Sequence, residues 1–496
     1  MAIASDENTE SGQSIWRGSY LPMTLANLAV IALVAFSGLA IVAALSSIAE
    51  DLGQLGLLPW VITGYLASGA VALIFAGPVI DAVGVRRTFR VTGLWLLVST
   101  AAAAASPTMS VLIVARVIQG FGGGLVFAVA FTAIGVGYPH ELRPRAFTAQ
   151  SVVFGVGALG GPAIAGAILV IGGWRMIFLA ELPLITLALA VGWSALPTTR
   201  ERPERIQIDW IGAGLLTVLI ACSLVAVAQI GVRLWLVAGA LLITGLLVAI
   251  YWVHSGRVES PVVARDHLTR FPLAWVHLTS GLVMFVGLGL ENYIPLYVQT
   301  ARDRSVEFAA FSLMFLSAGW TVGSLIYSRV LDKWPESDVI LLGCALFIPS
   351  IGLAGATIAL TWSLPLLFCA LALIGLSIGL VTTPGFTLLH ANSELSEMGR
   401  VTAVHQLVRQ LAITYGVALS SAILFFVVDY QVGDVEALRE VIAGDEIALG
   451  REATDAIRDG MAWAHLLIGS LSVVCMLAGL SLVRRTRALA AANSLS

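Results

Sequence analysis

Two carboxylic acids, Glu181 and Glu291, stand inside long apolar runs, in WRMIFLAELPLITLAL (174–189) and GLGLENYIPLYVQ (287–299). An ionised carboxylate is costly in an apolar medium and escapes that cost by holding a proton. An acid that is dry at one moment and wetted at the next loads a proton on one side of a barrier and releases it on the other. Glu181 and Glu291 are the candidates for that chemistry. Every other Asp and Glu falls in a connecting segment or near a predicted helix end, with Asp81 at a boundary. The competing reading sends Glu291 to the outer headgroups or a structural hydrogen bond, and pairs Glu181 with Arg116 or Arg175. Arg116, in LIVARVIQG (112–120), lies about 12 Å into its predicted helix at 1.5 Å per residue. It shares a helical face with Gln119, one turn on. Proton coupling and a structural bond to helix-end carbonyls both fit an arginine placed there. In HQLVRQ (405–410), His405 and Arg409 also share a face. Imidazole is the side chain that titrates near neutral pH, and a packing histidine is the alternative. Asn292, Tyr293 and Trp320 complete a partly polar, partly aromatic set of tentative cavity residues around Glu291, His405 and Arg409.

The elements that position these residues follow from composition. Of 496 residues, 58% are hydrophobic and 11% charged, with mean hydropathy +0.93; soluble domains carry about 25% charged residues. The chain reads as an all-α polytopic membrane protein. Its net charge of −3 and the lack of a basic face exclude a nucleic-acid partner. Cys222, Cys344, Cys369 and Cys475 sit in separate apolar runs and read as small buried hydrophobes, neither disulfides nor metal ligands. A helical span needs about 20 apolar residues, and bare backbone is not tolerated in lipid. About fourteen spans follow: 21–48, 58–81, 89–106, 109–138, 146–171, 174–196, 210–230, 233–253, 273–298, 307–329, 338–361, 364–390, 400–428 and 461–483.

Lys and Arg set the direction. Arg86, Arg87 and Arg90, Arg143 and Arg145, Arg265 and Arg270, and Arg484, Arg485 and Arg487 fall on one side, which is expected to be cytoplasmic. Both termini are expected there. The acidic segment 1–20 has no basic n-region, so the first span is expected to stay as an anchor. The expected organisation is a tail at 1–20, a six-helix half at 21–196, a linker with two extra spans at 197–271, a second six-helix half at 272–484 with an outer loop at 429–460, and a tail at 485–496. Such a 6+2+6 pattern suggests internal duplication, common in secondary transporters. At sequence level the repeat is faint.

Three stretches make the pattern more specific. Gly77-Pro-Val-Ile-Asp81-Ala-Val-Gly84-Val-Arg86-Arg87 follows the second span; Leu112 to Gly120 contains Arg116, Gln119 and Gly120; and Gly157-Ala-Leu-Gly-Gly161-Pro162-Ala-Ile-Ala-Gly166 lies in the fifth. Together with the span count, they resemble the major facilitator superfamily, and within it the fourteen-span drug:proton antiporter branch. The resemblance implies the major facilitator fold and a conformational lock at Gly77, Asp81, Gly84, Arg86 and Arg87. It also implies proton coupling through Arg116, and an antiporter signature at Gly157, Gly161, Pro162 and Gly166. The branch often carries an acid in its first span. Here that place reads Phe36-Ser37-Gly38-Leu39-Ala40-Ile41-Val42, with no acid.

The expected activity is proton-coupled antiport of lipophilic or cationic compounds, a multidrug efflux, by alternating access in the cell (inner) membrane. The alternative is export of one endogenous lipid or secondary metabolite with atypical coupling. An enzyme would need clustered catalytic groups at one membrane face, and the intramembrane acids are isolated. No cofactor beyond the proton gradient, no metal and no nucleotide loop is expected. The expected partners are a lipophilic small molecule and membrane lipids, with the chain acting as a monomer.

Overall fold

The computed structural model describes residues 14–54, 57–199, 207–228, 234–330, 333–432 and 451–493. Its elements are helices: α1 (Tyr20–Leu52), α2 (Pro59–Val83), α3 (Val85–Ala104), α4 (Met109–Gly137), α5 (Arg143–Gly172), α6 (Arg175–Ala195), α7 (Trp210–Ala228), α8 (Leu234–Ser255), the short α9 (Arg265–Thr269), α10 (Leu273–Val283), α11 (Gly289–Glu291), α12 (Ile294–Thr300), α13 (Val306–Val330), α14 (Glu336–Ala359), α15 (Leu364–Ala391), α16 (Met398–Val432), α17 (Arg451–Gly469) and α18 (Leu471–Asn493). Helix lies over every predicted span. Among the described residues, eleven helical segments are long and apolar enough to cross a membrane, with α10 to α12 counted as one and α17 with α18 as another. The shorter α3 begins with Arg86, Arg87 and Arg90 in its first two turns, and α7 is apolar only over Trp210–Ser223. Of the expected outer loop, 429–432 ends α16 and 451–460 begins α17, while 433–450 lies outside the described residues. The early start of α17 follows from Ala456, Ile457, Gly460, Met461 and Ala464, which bury one helical face.

The chain forms two compact units, Met1–Gln207 with Ser393–Ala403, and Ile208–Asn392 with Val404–Ser496. The first holds α1 to α6 and the start of α16; the second holds α7 onward and the rest of α16. The core of the first includes Ile41, Ile48, Met109, Leu112 and Phe178, and that of the second Met284, Tyr297, Phe347, Ile374 and Ile457. Inside lipid, packing between helices relies on close van der Waals contact, which favours glycine at crossings. Both units use this device between matching pairs of helices. A Cβ on Gly120 of α4 would lie 2.2 Å from the Tyr65 carbonyl oxygen of α2, and one on Gly124 lies 2.3 Å from that of Gly69. In the second unit, Cβ atoms on Gly319 of α13 and Gly375 of α15 would each meet a carbonyl oxygen of the other helix at 2.0 Å.

Two local breaks position functional side chains. The ninth predicted span is interrupted: α10 passes through a π-helical turn, Met284–Leu288, into α11, and α12 begins after Tyr293. Pro295 has no N–H to offer the Glu291 carbonyl four residues earlier, so the helix breaks at that point. Gly289 packs on Gly416 of α16, where an added Cβ would be 2.6 Å from the Gly416 carbonyl carbon. The second break is Gly84, at φ 89°, which turns α2 directly into α3.

Candidate functional site

In the first unit, five helices bring polar side chains to one buried network. Glu181 of α6 is 1% exposed. The Ser37 hydroxyl of α1 donates to its Oε1 at 2.5 Å, and the Gln119 amide of α4 donates to its Oε2 at 3.0 Å. The same amide donates to Thr100 of α3 at 2.9 Å. Arg116, also 1% exposed, donates from Nη1 to Gln119 Oε1 at 2.8 Å and from Nε to the Val61 carbonyl of α2 at 3.2 Å. Its guanidinium lies over the Tyr65 ring at 4.0 Å. Arg116 therefore reaches Glu181 through the Gln119 amide. The other candidate partner, Arg175, goes to Asp51 and the Ser106 carbonyl. Asp51, at the C-terminal end of α1, takes hydrogen bonds from Arg175 and from the Trp174 indole at 3.0 Å; these hold its carboxyl below the usual value.

The second unit holds Glu291, also 1% exposed. Neither oxygen has a hydrogen-bond partner, and the nearest charged or chargeable group is His465 of α17, with Nε2 3.9 Å from Oε1. His465 Nδ1 lies 2.8 Å from the Met461 carbonyl, which can only accept, so Nδ1 bears a proton. The remaining nitrogen faces the carboxyl, and one proton placed between them yields a neutral pair or an ion pair. His465 was not singled out from sequence; the signal was its place on the buried face that includes Met461 and Ala464.

The other expected cavity residues divide. His405 and Arg409 both meet the Phe386 ring of α15, the imidazole centroid at 4.6 Å and the guanidinium at 5.1 Å from the ring centroid. His405 Nδ1 is 2.9 Å from His277 Nδ1 of α10, and Arg409 donates to Gln406 Oε1 at 2.9 Å. Asn292 is exposed, Tyr293 is half-buried, and Trp320 packs on the hydrophobic core of its unit.

The loop motif also takes shape within the first unit. Asp81 accepts the backbone N–H groups of Gly399 at 2.7 Å and Arg400 at 3.1 Å, in the first turn of α16. Those N–H groups have no partner inside their own helix, and they attract negative charge. Gly77 is needed beside them, since a Cβ there would meet Arg400 Cα at 2.6 Å. Arg86 and Arg90 turn instead to the carbonyls of Leu196 and Trp193 at the end of α6. In the Gly157 to Gly166 motif, a Cβ on Gly157 would meet Ala35 of α1 at 2.9 Å, and Gly166 borders open space. Gly161 is buried, and the Pro162 side chain lies outside the described residues.

A family model, the Major Facilitator Superfamily, matches residues 25–417. The drug efflux pump JefA of Mycobacterium tuberculosis is 28% identical over 381 residues, covering 75% of this chain and 73% of its own. A probable multidrug-efflux transporter of the same organism is 26% identical over 434 residues, covering 84% of this chain and 91% of its own. Among solved structures, the human organic anion transporter MFSD10 matches with a TM-score of 0.63 at 15% identity, covering 92% of this chain and 100% of that one, a likeness of fold alone.

Proposed function

The chain belongs to the major facilitator superfamily, and we propose that it is a proton-coupled exporter of lipophilic small molecules that works by alternating access. The observation that supports this most is that neither membrane-buried carboxyl, Glu181 or Glu291, forms an ion pair with an arginine among the described residues. A carboxylate clamped by a guanidinium does not readily take a proton, whereas one held by a hydroxyl, an amide or an imidazole can change state. At Glu181, protonation removes the charge that Arg116 balances through Gln119. The hold of α6 on α1 and α4 then loosens. At Glu291, the nearest group with which a proton could be exchanged is His465, 3.9 Å away. The acid missing from α1 is replaced, in this reading, by Glu181, whose carboxyl sits on Ser37 of that helix.

The names of the two mycobacterial relatives favour the direction of transport and a small-molecule cargo. The grip of Asp81 on the first turn of α16 is the latch that one conformation keeps and the other releases. In this reading α1 to α6 and the helices from α10 onward are the two halves, α7 and α8 are an inserted pair, and both termini are cytoplasmic. One proton moving through 100 mV supplies about 2.3 kcal/mol, enough for a gradient of tens-fold in a neutral cargo, so no nucleotide is required.

The test is transport by purified protein in proteoliposomes, using a panel of neutral and charged lipophilic dyes and an imposed pH gradient. Dye movement that follows the gradient, and loses that dependence in Glu291→Gln, is the expected result. Movement indifferent to the gradient in the wild-type protein refutes the coupling.

A further inference from the structure

The second unit contains a buried group of hydrogen-bond donors with nothing to donate to. Arg409 of α16 spends Nη1 on the Gln406 side chain at 2.9 Å, and its Nε is buried with no partner. Because a guanidinium only donates, the Gln406 atom facing it must be the oxygen. The amide nitrogen of Gln406 therefore points elsewhere, and it too is buried and unpartnered. His405, fully buried, uses Nδ1 on His277 at 2.9 Å and leaves Nε2 without a partner. Arg409 takes part in no ion pair among the described residues. Its charge is met only by the amide oxygen and by the face of Phe386, whose ring centroid is 5.1 Å away. From Val408 to Tyr415 the residues of α16 are half-buried, so this stretch of the helix borders open space.

Buried polar groups in folded proteins are almost always paired, and a buried charge without a counter-charge is costly. The two certain donors and the uncompensated positive charge ask for the same thing, an acceptor group that is negatively charged. The Phe386 ring beside them is itself buried, and the half-buried stretch of α16 from Val408 to Tyr415, with Leu411, Ala412 and Ile413, is the apolar surface next to these donors.

We propose that Arg409, Gln406 and His405 form a binding site for an amphipathic organic anion, a carboxylate or sulfonate on an apolar body. The acid group lies against Arg409 Nε and Gln406 Nε2, with His405 beside it, and the body extends along the half-buried stretch of α16 between Val408 and Tyr415. This assignment rests on the export reading for its role as a cargo site, and it narrows the lipophilic cargo to one with an acidic head. A planar carboxylate suits adjacent N–H donors, and charge-assisted hydrogen bonds are the strong ones.

The test uses purified full-length protein in detergent and three matched fluorescent probes: 1-pyrenebutyrate, its amide, and 4-(1-pyrenyl)butylammonium. The wild-type protein is expected to bind the carboxylate about tenfold or more tighter than the amide, and the ammonium weakest, the factor expected of a charge-assisted hydrogen bond. Arg409→Gln should abolish the preference by weakening the carboxylate alone. Arg409→Lys should keep part of it, and Ile413→Ser, in the half-buried stretch of α16, should weaken carboxylate and amide alike. Equal binding of carboxylate and amide by the wild-type protein, or tighter binding of the ammonium, overturns the proposal without requiring that any variant fold. Dioctanoyl phosphatidate serves as competitor: failure to displace the probe supports a small-molecule site, whereas displacement assigns the site to lipid headgroups and overturns the cargo role. If the charge preference and its loss in Arg409→Gln hold while no probe or dye is transported, the export reading falls and the anion site stands. If export is seen but the preference is absent, the site falls and export stands.

Discussion

Replacement of Glu181 by Gln separates the proton from the rest of the transport cycle. The carboxylate accepts two hydrogen bonds, from Ser37 at 2.5 Å and from Gln119 at 3.0 Å. A protonated acid keeps both contacts by giving its O–H to Ser37, whose hydroxyl rotates to accept, while the other oxygen still accepts from Gln119. Glutamine has the same shape and the same arrangement of one acceptor and one donor end. It mimics the protonated state permanently, so the cost to folding should be small, within about 1 kcal/mol, the net value of one neutral hydrogen bond. The effect on energy coupling should be large. One pH unit is worth about 1.4 kcal/mol per proton, a factor of ten in concentration. With one proton per cargo, wild-type proteoliposomes should accumulate a neutral dye about tenfold for each unit of imposed gradient. If Glu181 is the coupling acid, Glu181→Gln should accumulate none, while exchange of dye across the membrane at equal concentration continues within a few-fold of the wild-type rate. The assay measures both rates on one preparation, with a thermal melt as the control for folding. Gradient-driven accumulation in Glu181→Gln equal to wild type would refute the reasoning. Loss of exchange and accumulation together would also count against it, since that marks a structural role.

Four further substitutions test other parts of the structure. Asp81→Asn keeps one acceptor oxygen but turns an NH2 group toward a first-turn N–H of α16; a loss of about 1–2 kcal/mol, read as a lower melting temperature, is expected, and an unchanged melt would show that the contact is incidental. Gly375→Ala forces a Cβ to within 2.0 Å of the Leu316 carbonyl oxygen and should cost about 1–3 kcal/mol or more. Gly352→Ala, with nothing within 4 Å, should melt within about 0.5 kcal/mol of wild type, the usual range for a change away from close contacts. Asp51, held low chiefly by its hydrogen bond to Arg175 and then by Trp174, stabilises the ionised state. Its contribution is complete above the ordinary carboxylate value of about 3.9 and fades as pH falls through the lower folded value. Asp51→Asn should therefore melt lower than wild type at pH 7, with the difference shrinking in acid below about pH 4; a difference independent of pH would refute the assignment.

The helices were legible because lipid leaves the chain few choices. Apolar runs of 20 or more residues must satisfy their own backbone, so span positions follow from hydropathy and helix falls over each of them. The side-chain partners were legible only where they lie one turn apart on one helix, as Arg116 and Gln119 do. Contacts between helices distant in sequence had no such signal. Ser37 and Glu181 are separated by 144 positions and His277 and His405 by 128, and nothing in either local pattern points to the other. The loop motif shows a third case. The motif fixed which residues belong together, but not that Asp81 would take the first-turn N–H groups of α16, more than 300 positions away, or that Arg86 and Arg90 would reach the carbonyls at the end of α6.

In the proposed coupling, the acid that the first span lacks is supplied by another helix. What proton coupling needs is a carboxyl at a given place among α1, α4 and α6, and any of the three helices can supply it. In this chain α1 contributes the small hydroxyl of Ser37, which leaves room for the longer Glu181 to reach across from α6. Gln119 of α4 then holds the second oxygen and relays the charge of Arg116. Placed on α6 and held by α1 and α4, the carboxyl ties three helices through a single ionisable group. A proton gained or lost there changes a charge that bears on all three at once, which is the property a device that converts protonation into helix movement has to have.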